Sequence, residues 1–398
     1  MNPAPQQSDG STKRPFLNRV ILTTVSAVLF MLIWINAVPH YGLTRFEVST
    51  TLPDLAEAPF YKEIFVSEAA TQKAHAATIL LSDNGPMAFW YGGSKEGASD
   101  VQIFQAAFNG TSWGKVTPVI NPVMVQNDLN RLIRKVGNPA GFRLKDGRIW
   151  LFFVSVSVGG WAGSSLNLIE SSDDGQSWSK PRRLITSPFF NLSTLVRNQP
   201  YYYTDGTIGL PVYHEFLGKF GELLRLDSTG RVLSKQRLSK GRHALQPAIV
   251  AISEMEAIGL MRYAGKPPMH LLQVNSLDGG NSWSAARKLE LPNPNAATTA
   301  ISIGAGKILA VINNAAQGRN DMSLAISTSG DHWQVFHTLE SVDASPISHE
   351  YEFSYPAILR DDAGMFHLLY SWNHKFIKHI RFNLAWLQTM LNRHENSQ

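Results

Sequence analysis

The sequence predicts an all-β fold, a six-bladed β-propeller, preceded by one N-terminal transmembrane helix. Three observations support this prediction: an eight-residue turn motif that occurs twice, turn anchors that recur about every 50 residues, and one long apolar run without charges near the N-terminus. Propeller blades are four-stranded sheets, and regular repetition at this period is typical of them. The chain of 398 residues is long enough for one such body with short extensions.

The turn motif reads Ser-x-Asp-x-Gly-x-x-Trp and spans residues 171–178 and 276–283. A short Ser or Asp side chain can bond backbone amides two residues further on, and glycine accepts a positive φ at low cost. We expect the tryptophan to anchor the strand that follows. Each copy therefore predicts a rigid turn between two outer strands, and it indicates the fold rather than any chemistry.

Weaker copies of this turn extend the series along the chain. The five anchors are Trp113, Trp178, Leu233, Trp283 and Trp333, at intervals of 65, 55, 50 and 50 residues. Between them, apolar runs rich in β-branched and aromatic residues alternate with Gly, Asp and Asn turns, which predicts strands. We expect six blades, beginning near Ala74, Gly137, Arg197, Ala244, Ala296 and Tyr351. The segment 383–392 is predicted as the last outer strand or a short helix.

The N-terminal region predicts a membrane anchor. Residues 1–19 are a polar tail, and residues 20–38 form a run of 19 residues without charge, which at about 1.5 Å per residue spans a bilayer core. Basic residues precede this run, so we expect a cytoplasmic N-terminus and a periplasmic or extracellular propeller. A cleaved signal peptide is the alternative, but the run is long and residues 35–37 form a poor cleavage site. Residues 39–60 are then a linker, 61–382 the propeller and 383–398 a C-terminal tail.

Composition excludes several classes of function. The net charge is +5, but the basic residues are scattered, which argues against a nucleic-acid partner. The chain has no cysteine, so disulfides, thiolate chemistry and cysteine metal sites are absent. The histidines are spread along the sequence without metal-binding spacing, so no metal centre and no cofactor are predicted.

Polar residues in the first strand of each predicted blade, and in the loops beside these strands, are the candidates for a site. Propeller sites form where the innermost strands meet at the central axis, and many converging polar groups are typical of a carbohydrate site. These candidates are His75, Glu96, Asp100, Asn138, Asn198, His214, Glu215, Gln246, Arg262, Asn293, Asn295, Arg319, Glu352, Tyr355, Trp372 and Lys375.

Five stretches make this pattern more specific. They are His-Ala-Ala-Thr-Ile at 75–79, Trp-Tyr-Gly-Gly-Ser-Lys-Glu-Gly at 90–97, Arg-Asn-Gln-Pro at 197–200, Leu-Pro-Asn-Pro-Asn at 291–295 and Glu-Phe-Ser-Tyr-Pro at 352–356. From about residue 60 to 381 the chain resembles the predicted-neuraminidase group of the sialidase superfamily, whose repeats are called BNR repeats or Asp boxes. The resemblance implies a sialidase-like propeller and an exo-sialidase-like glycosidase.

The resemblance also implies roles for individual residues. Tyr355 stands at the nucleophile position, Arg262 and Arg319 match two of three arginines that hold the substrate carboxylate, and Glu96 lies near the acid/base position, where the family has Asp. A neutral tyrosine suits this chemistry because a carboxylate nucleophile would be repelled by an anionic substrate. Planar guanidinium groups suit a bidentate contact with a carboxylate.

Two positions depart from the family pattern. His75 stands where the first arginine is expected, and Gln246 stands where a glutamate would activate the tyrosine; an amide cannot take the phenolic proton. We predict that the catalytic set is Tyr355, Glu96 and Gln246. The predicted substrate-binding residues are His75, Arg262, Arg319, Asp100, Asn138, Asn198, Glu215, Asn293, Asn295 and Trp372.

The sequence thus predicts a membrane-anchored, sialidase-like glycoside hydrolase that acts on an acidic sugar of a glycan or exopolysaccharide. Two alternatives stay open. A non-catalytic glycan-binding or assembly factor in surface polysaccharide handling is favoured by Gln246. A uronate polysaccharide lyase is favoured by the pair His75 and Tyr355, which can serve as bases. The sequence does not indicate an oligomeric state.

Overall fold

The described residues form six antiparallel sheets, and this confirms the predicted six-bladed β-propeller. The computed structural model describes residues 13–37, 44–48, 58–66, 70–187, 191–342 and 351–397. The blades begin within three residues of the predicted positions. Their regular spacing follows from the turn chemistry, because each polar turn ends one strand and starts the next.

The elements follow one another in chain order. Helix α1 (Lys13–Ala37) and strand β1 (Tyr61–Phe65) come first. The first blade contains β2 (Lys73–Ser82), β3 (Gly85–Gly93), β4 (Gln102–Ala107) and β5 (Thr117–Ile120). Helix α2 (Pro122–Leu129) leads to the second blade, with β6 (Lys135–Arg143), β7 (Ile149–Val156), a 3₁₀ turn (Trp161–Gly163), β8 (Ser164–Ser171) and β9 (Arg182–Arg183). The third blade contains β10 (Leu195–Val196), β11 (Tyr201–Tyr202), β12 (Ile208–His214), β13 (Phe220–Leu226) and β14 (Val232–Arg237).

The second half repeats this order. The fourth blade contains β15 (Ala244–Ala251), β16 (Ala257–Tyr263), β17 (His270–Ser276) and β18 (Arg287–Pro292). The fifth contains β19 (Thr299–Gly304), β20 (Lys307–Ile312), β21 (Asp321–Thr328) and β22 (His332–Ser341). The sixth contains β23 (Phe353–Arg360), β24 (Phe366–Trp372) and β25 (Phe376–Phe382), and helix α3 (Leu384–Glu395) follows.

Strand β1 closes the ring. It pairs antiparallel with β25, with Tyr61 opposite Phe382, and so becomes the outermost strand of the sixth blade. The Lys378 ammonium lies 2.5 Å from a carboxylate oxygen of Glu63 on β1 and 2.5 Å from one of Glu340 on β22. Lys378 lies on the sixth blade and Glu340 on the fifth, so these ion pairs connect the closing strand with both blades. The lysine is mostly buried, so loss of one partner would be costly.

The hydrophobic core is divided among the blade interfaces. Six clusters of buried apolar residues each combine side chains from at least two neighbouring blades. Alternation along the strands places one face of each sheet against the next blade, as the sequence pattern requires. The ring is therefore held together by packing between blades as well as by hydrogen bonds within them.

The two Asp-box turns have the expected local geometry. In the first, Asp173 accepts hydrogen bonds from the Ser177 amide at 2.8 Å and the Ser177 hydroxyl at 2.5 Å, and these bonds lower the pKa of Asp173 to about 2. The Trp178 indole donates to Gln105 of the preceding blade at 3.1 Å. Trp333 likewise donates to Gln273 of the preceding blade at 3.1 Å. These tryptophans thus bind one blade to the blade before it.

Helix α1 covers the predicted membrane segment. Its side chains from 18 to 31 are exposed, including Leu22, Phe30 and Met31. Among the described residues, no helix has the length and apolar character needed to cross a membrane. The predicted transmembrane anchor at 20–38 is therefore not supported, and the orientation derived from it stays a prediction.

Residues at both ends of the propeller pack on its body. Within the predicted linker, residues 44–48 are described, and Phe46 is fully buried and pairs with Tyr203. At the other end, the tail is the helix rather than a strand. The Asn383 side chain caps α3 by accepting from the Trp386 amide at 3.0 Å, and Trp386 stacks on Tyr61 of the closing strand.

Candidate active site at the mouth of the central channel

A repeated irregularity in the innermost strands shapes the site. Residues at the start of these strands have a left-handed backbone: Ala76, Asn138, Gln246 and Tyr355 have φ between 47° and 55°. At each of them the pairing with the second strand shifts register. A left-handed conformation costs about 1 kcal/mol or more for a residue with a side chain. These bulges interrupt the alternation of side chains and bring residues of different blades together.

Tyr355 lies at the centre of this group. Its hydroxyl is 3.4 Å from Nη1 of Arg262, on the second strand of the fourth blade. The same nitrogen donates to Oε1 of Gln246 at 3.3 Å. The predicted nucleophile, one predicted carboxylate-binding arginine and the glutamine are therefore in one cluster.

Asn295 orients both candidate arginines. Its side-chain oxygen accepts from Nε of Arg262 at 2.6 Å, and its carbonyl oxygen accepts from Nη2 of Arg319 at 2.8 Å. Asn295 itself has φ 54°, a conformation that asparagine adopts more readily than most residues. Among the described residues, no group bonds Nη2 of Arg262. The structure thus places two oriented cations beside Tyr355, and the guanidinium of Arg319 lies 5.8 Å from the Tyr355 ring centroid.

Arg197 holds the backbone of Tyr355 through a hydrogen bond to its carbonyl oxygen. The sequence analysis did not assign this arginine to the site. Its guanidinium is buried and donates to the carbonyl oxygens of Ala77 at 2.9 Å, Tyr355 at 2.5 Å and Pro356 at 3.0 Å. It therefore connects the third blade with the first and the sixth across the axis. Burial lowers the pKa of Arg197 to about 10, so it stays charged at neutral pH.

His75 lies against Tyr355, edge-on, with 4.5 Å between ring centroids. It is 3% exposed, and burial lowers its pKa well below the usual value, so its imidazole is neutral. A second histidine, His374, lies 4.3 Å away between ring centroids. Its Nε2 is 2.9 Å from Oε2 of Glu352, whose other oxygen accepts from Nη1 of Arg319 at 2.8 Å. Burial opposes ionisation of Glu352, but His374 and Arg319 more than offset it and hold its pKa well below the usual range.

The fold brings together residues that are far apart in the sequence. His75, Glu352 and His374 each offer a possible ligand atom, and these atoms lie within 4.8 Å of one another, so the absence of a metal centre stays a prediction. His75 and His374 are far apart in the sequence because one lies in the first blade and the other in the sixth. When the ring closes, the turn between β24 and β25 lies against the first blade. Closure of the ring therefore brings His75 and His374 together, and no local sequence motif predicts that they are close.

Glu96 lies on the loop after β3, at the edge of the same group. Its side chain is exposed, and the buried Tyr91 is a neighbour of it. Together with His75 and His374 these two residues line a cavity of about 190 Å³. The predicted acid/base thus faces an opening that the histidine pair also reaches. Burial and the negative charge of Glu96 raise the pKa of Tyr91 well above its usual value.

A second polar cluster lies on the side of the second to fourth blades. The buried hydroxyl of Tyr213 accepts from the side-chain nitrogens of Asn138 at 3.0 Å and Gln246 at 3.3 Å. Glu215 follows on the same strand end, and burial raises its pKa in spite of the nearby positive charges of Lys219 and Arg262.

Four predicted binding residues have contacts that serve the fold. The Asp100 carboxylate accepts from the backbone and hydroxyl of Ser94 and closes the loop that carries Glu96. Asn198 donates to the carbonyl oxygens of Gln246 and Pro247, and it lines a different cavity, of about 310 Å³, at the other end of the inner strands. Asn293 is fully buried in the turn that presents Asn295, and Trp372 packs among Phe65, Phe353 and Phe376.

Several contributors were missed, and one signal could have revealed part of the set. Arg197, Tyr213, Tyr91 and His374 were not assigned to the site. The sequence repeats a residue followed by Pro-Ala at 138–140, 246–248 and 355–357, and each repeat coincides with a left-handed bulge. This repeat marks where inner strands turn side chains toward the axis.

Comparisons with known proteins agree with this architecture. A family model described as a BNR repeat-like domain matches residues 86–368. Among curated protein sequences, none matches at a significant level. The solved structures that resemble this one include the Hadza microbial sialidase Hz136, with TM-score 0.65, 16% identity, and coverage of 81% of this chain and 68% of that chain.

Two further structures extend the comparison. A protein of unknown function from Dyadobacter fermentans has TM-score 0.64 and 14% identity, with 81% of this chain and 99% of that chain covered. A Trypanosoma rangeli sialidase in complex with the inhibitor DANA has TM-score 0.62 and 15% identity, with 82% of this chain and 57% of that chain covered. At such identities the likeness shows the fold alone. Because the BNR repeat-like model covers well over half of its length, the chain belongs to that family of sialidase-like propellers.

Proposed function

We propose that this protein binds an acidic sugar at the mouth of the propeller and cleaves its glycosidic bond. The observation that carries the proposal is the contact of the Tyr355 hydroxyl with Arg262 at 3.4 Å, beside a second oriented arginine, Arg319. Two cations next to a phenol suit a substrate whose carboxylate lies close to the reacting carbon. Structural similarity to sialidases supports the same class of reaction.

In this proposal the arginines bind the carboxylate of the substrate. The unengaged Nη2 of Arg262 donates to one carboxylate oxygen, and the guanidinium of Arg319 supplies the second contact. Tyr355 then faces the anomeric carbon, where its hydroxyl stabilises the developing positive charge while water forms the new bond to that carbon and the bond to the leaving oxygen breaks. Glu96, which lines the 190 Å³ cavity together with His75 and His374, protonates the leaving oxygen and then, as the carboxylate, takes a proton from the attacking water. Gln246 positions Arg262 and does not act as a base.

A second candidate is elimination from a uronate, which a lyase performs. It is favoured by one observation: the neutral imidazole of His75 lies 4.5 Å, ring centroid to ring centroid, from Tyr355, so a neutral base and a phenol are neighbours. In that reaction the arginines neutralise the carboxylate, a base removes the proton on the adjacent carbon, and an unsaturated sugar is released. Its product absorbs ultraviolet light, whereas the product of hydrolysis does not.

One set of assays separates these functions. The full-length protein is tested on a fluorogenic sialoside, a fluorogenic glucuronide and uronate-containing polysaccharides, with Tyr355→Phe as the test variant and Tyr202→Phe as the control. Tyr202 lies on the third blade, where its hydroxyl accepts from the Lys145 amide. Fluorophore release that is lost only in Tyr355→Phe supports the glycosidase, and ultraviolet absorbance lost in the same way supports the lyase.

Binding completes the test. Calorimetric titration with the same sugars, using Arg262→Met, should show affinity reduced about 10- to 100-fold, because a charge-assisted hydrogen bond contributes about 1.5–3 kcal/mol. Binding without turnover identifies a glycan-binding protein. Neither turnover nor binding of any carboxylate-bearing sugar would refute the proposal.

A further inference from the structure

The cluster of His75, Glu352 and His374 has the composition of a metal site. Two imidazoles and one carboxylate are the ligands of many zinc and other transition-metal centres, and a catalytic site of this kind leaves a coordination position for water or substrate. The three ligand atoms lie within 4.8 Å of one another. Donors bound to a zinc ion at about 2.1 Å are roughly 3.4 Å apart in tetrahedral geometry. The widest separation in the set therefore exceeds that of bound ligands by no more than about 1.4 Å.

An unsatisfied buried atom points to the same ligand. Nδ1 of His75 is buried and, among the described residues, no group bonds it, although His75 is only 3% exposed. Buried polar atoms of folded proteins nearly always have a partner, so an orphan calls for an explanation. A bound cation is one that fits, because neutral imidazole is the form that ligates metals.

The backbone holds the ligands in place without the ion. His374 lies in the turn between β24 and β25, where both it and Asn373 have φ 53°. The carbonyl of His374 accepts from the Ala74 amide at 2.8 Å, next to His75, and the Asn373 amide and side chain both bond the backbone of Glu352. All three ligands are thus fixed to one another by main-chain bonds, as a preorganised site requires.

We propose that His75, Glu352 and His374 bind a divalent transition-metal ion such as Zn²⁺ at the edge of the 190 Å³ cavity. Glu352 then bridges the ion and Arg319, using one oxygen for each. This step stands on the cluster alone. A second step rests on the proposed function: the ion supplies the positive charge that His75, standing in place of an arginine, cannot supply, and so it helps Arg262 and Arg319 to hold an acidic sugar.

Metal binding is measured first, without any sugar. The full-length protein is treated with a chelator, dialysed and titrated calorimetrically with Zn²⁺, and Co²⁺ is added separately to record its visible absorption. We expect one ion per chain, and at least a 100-fold loss of affinity in His75→Gln and in His374→Gln. His332→Gln, in an exposed position on β22, should bind as the wild type does. Equal affinity in all variants, or no binding by the wild type, would overturn the proposal.

A measurement on the wild type guards against misfolded variants. His374 is partly exposed, so diethyl pyrocarbonate can modify it, and bound Zn²⁺ should protect it while His332 stays reactive. Mass spectrometry of the digested protein reports both sites. Equal modification with and without Zn²⁺ would contradict the site. If Zn²⁺ binds but does not change the affinity for any carboxylate-bearing sugar, the metal site stands and only the second step fails.

Discussion

The buried guanidinium of Arg197 offers the sharpest test of how the site is held together. It crosses the axis and donates to three carbonyl oxygens, those of Ala77, Tyr355 and Pro356. Replacement by methionine keeps an unbranched, mostly apolar side chain but removes every donor. The three carbonyls then have no donor at the position of the guanidinium, and the backbone of Tyr355 loses its support.

The expected loss follows from two opposing contributions. A buried polar group left without its partner costs about 1–3 kcal/mol, so three carbonyls cost about 3–9 kcal/mol. Burial of the charge acts in the other direction: the pKa of Arg197 falls from 12.5 to about 10, which corresponds to about 3 kcal/mol that the variant no longer bears. The free energy of unfolding should therefore fall by about 0–6 kcal/mol in Arg197→Met, with a central value of about 3 kcal/mol.

The assay is urea unfolding of the full-length protein, followed by tryptophan fluorescence. Arg237→Met is the matched control, because Arg237 also donates to three carbonyl oxygens, those of Ser239, Lys240 and Gly241, but is exposed. Water can satisfy those carbonyls, so the control should lose less than about 1 kcal/mol. If the two variants lose the same small amount, the argument from burial is wrong. A changed denaturant dependence in either variant would void the comparison and call for calorimetry instead.

Three further predictions concern the body of the propeller. Gly279→Ala should displace the segment 44–48 and expose it to limited proteolysis, because a Cβ there would lie 1.6 Å from the Thr44 carbonyl oxygen, whereas Gly206→Ala, with a similar φ and open space, should not. Lys378→Met should lower the free energy of unfolding by about 3–5 kcal/mol and speed hydrogen exchange in β1, since it strands two partly buried carboxylates; unchanged exchange would contradict this. Burial lowers the pKa of His379 to about 2. Its contribution to stability is therefore complete above pH 6.5, the ordinary pKa of histidine, and is lost as the pH falls below that value. At pH 5 the free energy of unfolding should be lower by about 2 kcal/mol. His379→Gln keeps an acceptor for its indole neighbour and should flatten the stability curve between pH 7 and 5; an unchanged slope would refute the assignment.

The ring itself could be predicted from the sequence because its information is local. Each Asp box carries its hydrogen bonds within eight residues, as the bonds of Asp173 to Ser177 show, and the strands follow from alternation. The contacts that these turns make with other blades could not be predicted from local sequence. The Trp178 indole reaches Gln105 of the preceding blade, 73 residues away, and only the assembled ring defines that contact.

The site could be predicted in part, for a related reason. Tyr355, Arg262 and Gln246 were predicted together, and they do lie together. His374 was missed as a partner of His75 because their proximity depends on closure of the ring, which joins the two ends of the propeller sequence. Nothing in the neighbourhood of Arg197 indicates that its side chain spans the axis, since its partners lie 120 to 159 residues away.

Left-handed residues occur both in the turns and at the mouth of the propeller, and those at the mouth bear on function. At the turns, positive φ falls on glycines such as Gly147, Gly175 and Gly206, where the conformation is cheap. At the mouth it falls on Gln246 and Tyr355, where each residue costs about 1 kcal/mol or more. Glycine would relieve that strain but would remove the amide and the phenol that contact Arg262. At these two positions the strained residue is therefore also one whose side chain contacts Arg262, and this agrees with a site at the channel mouth.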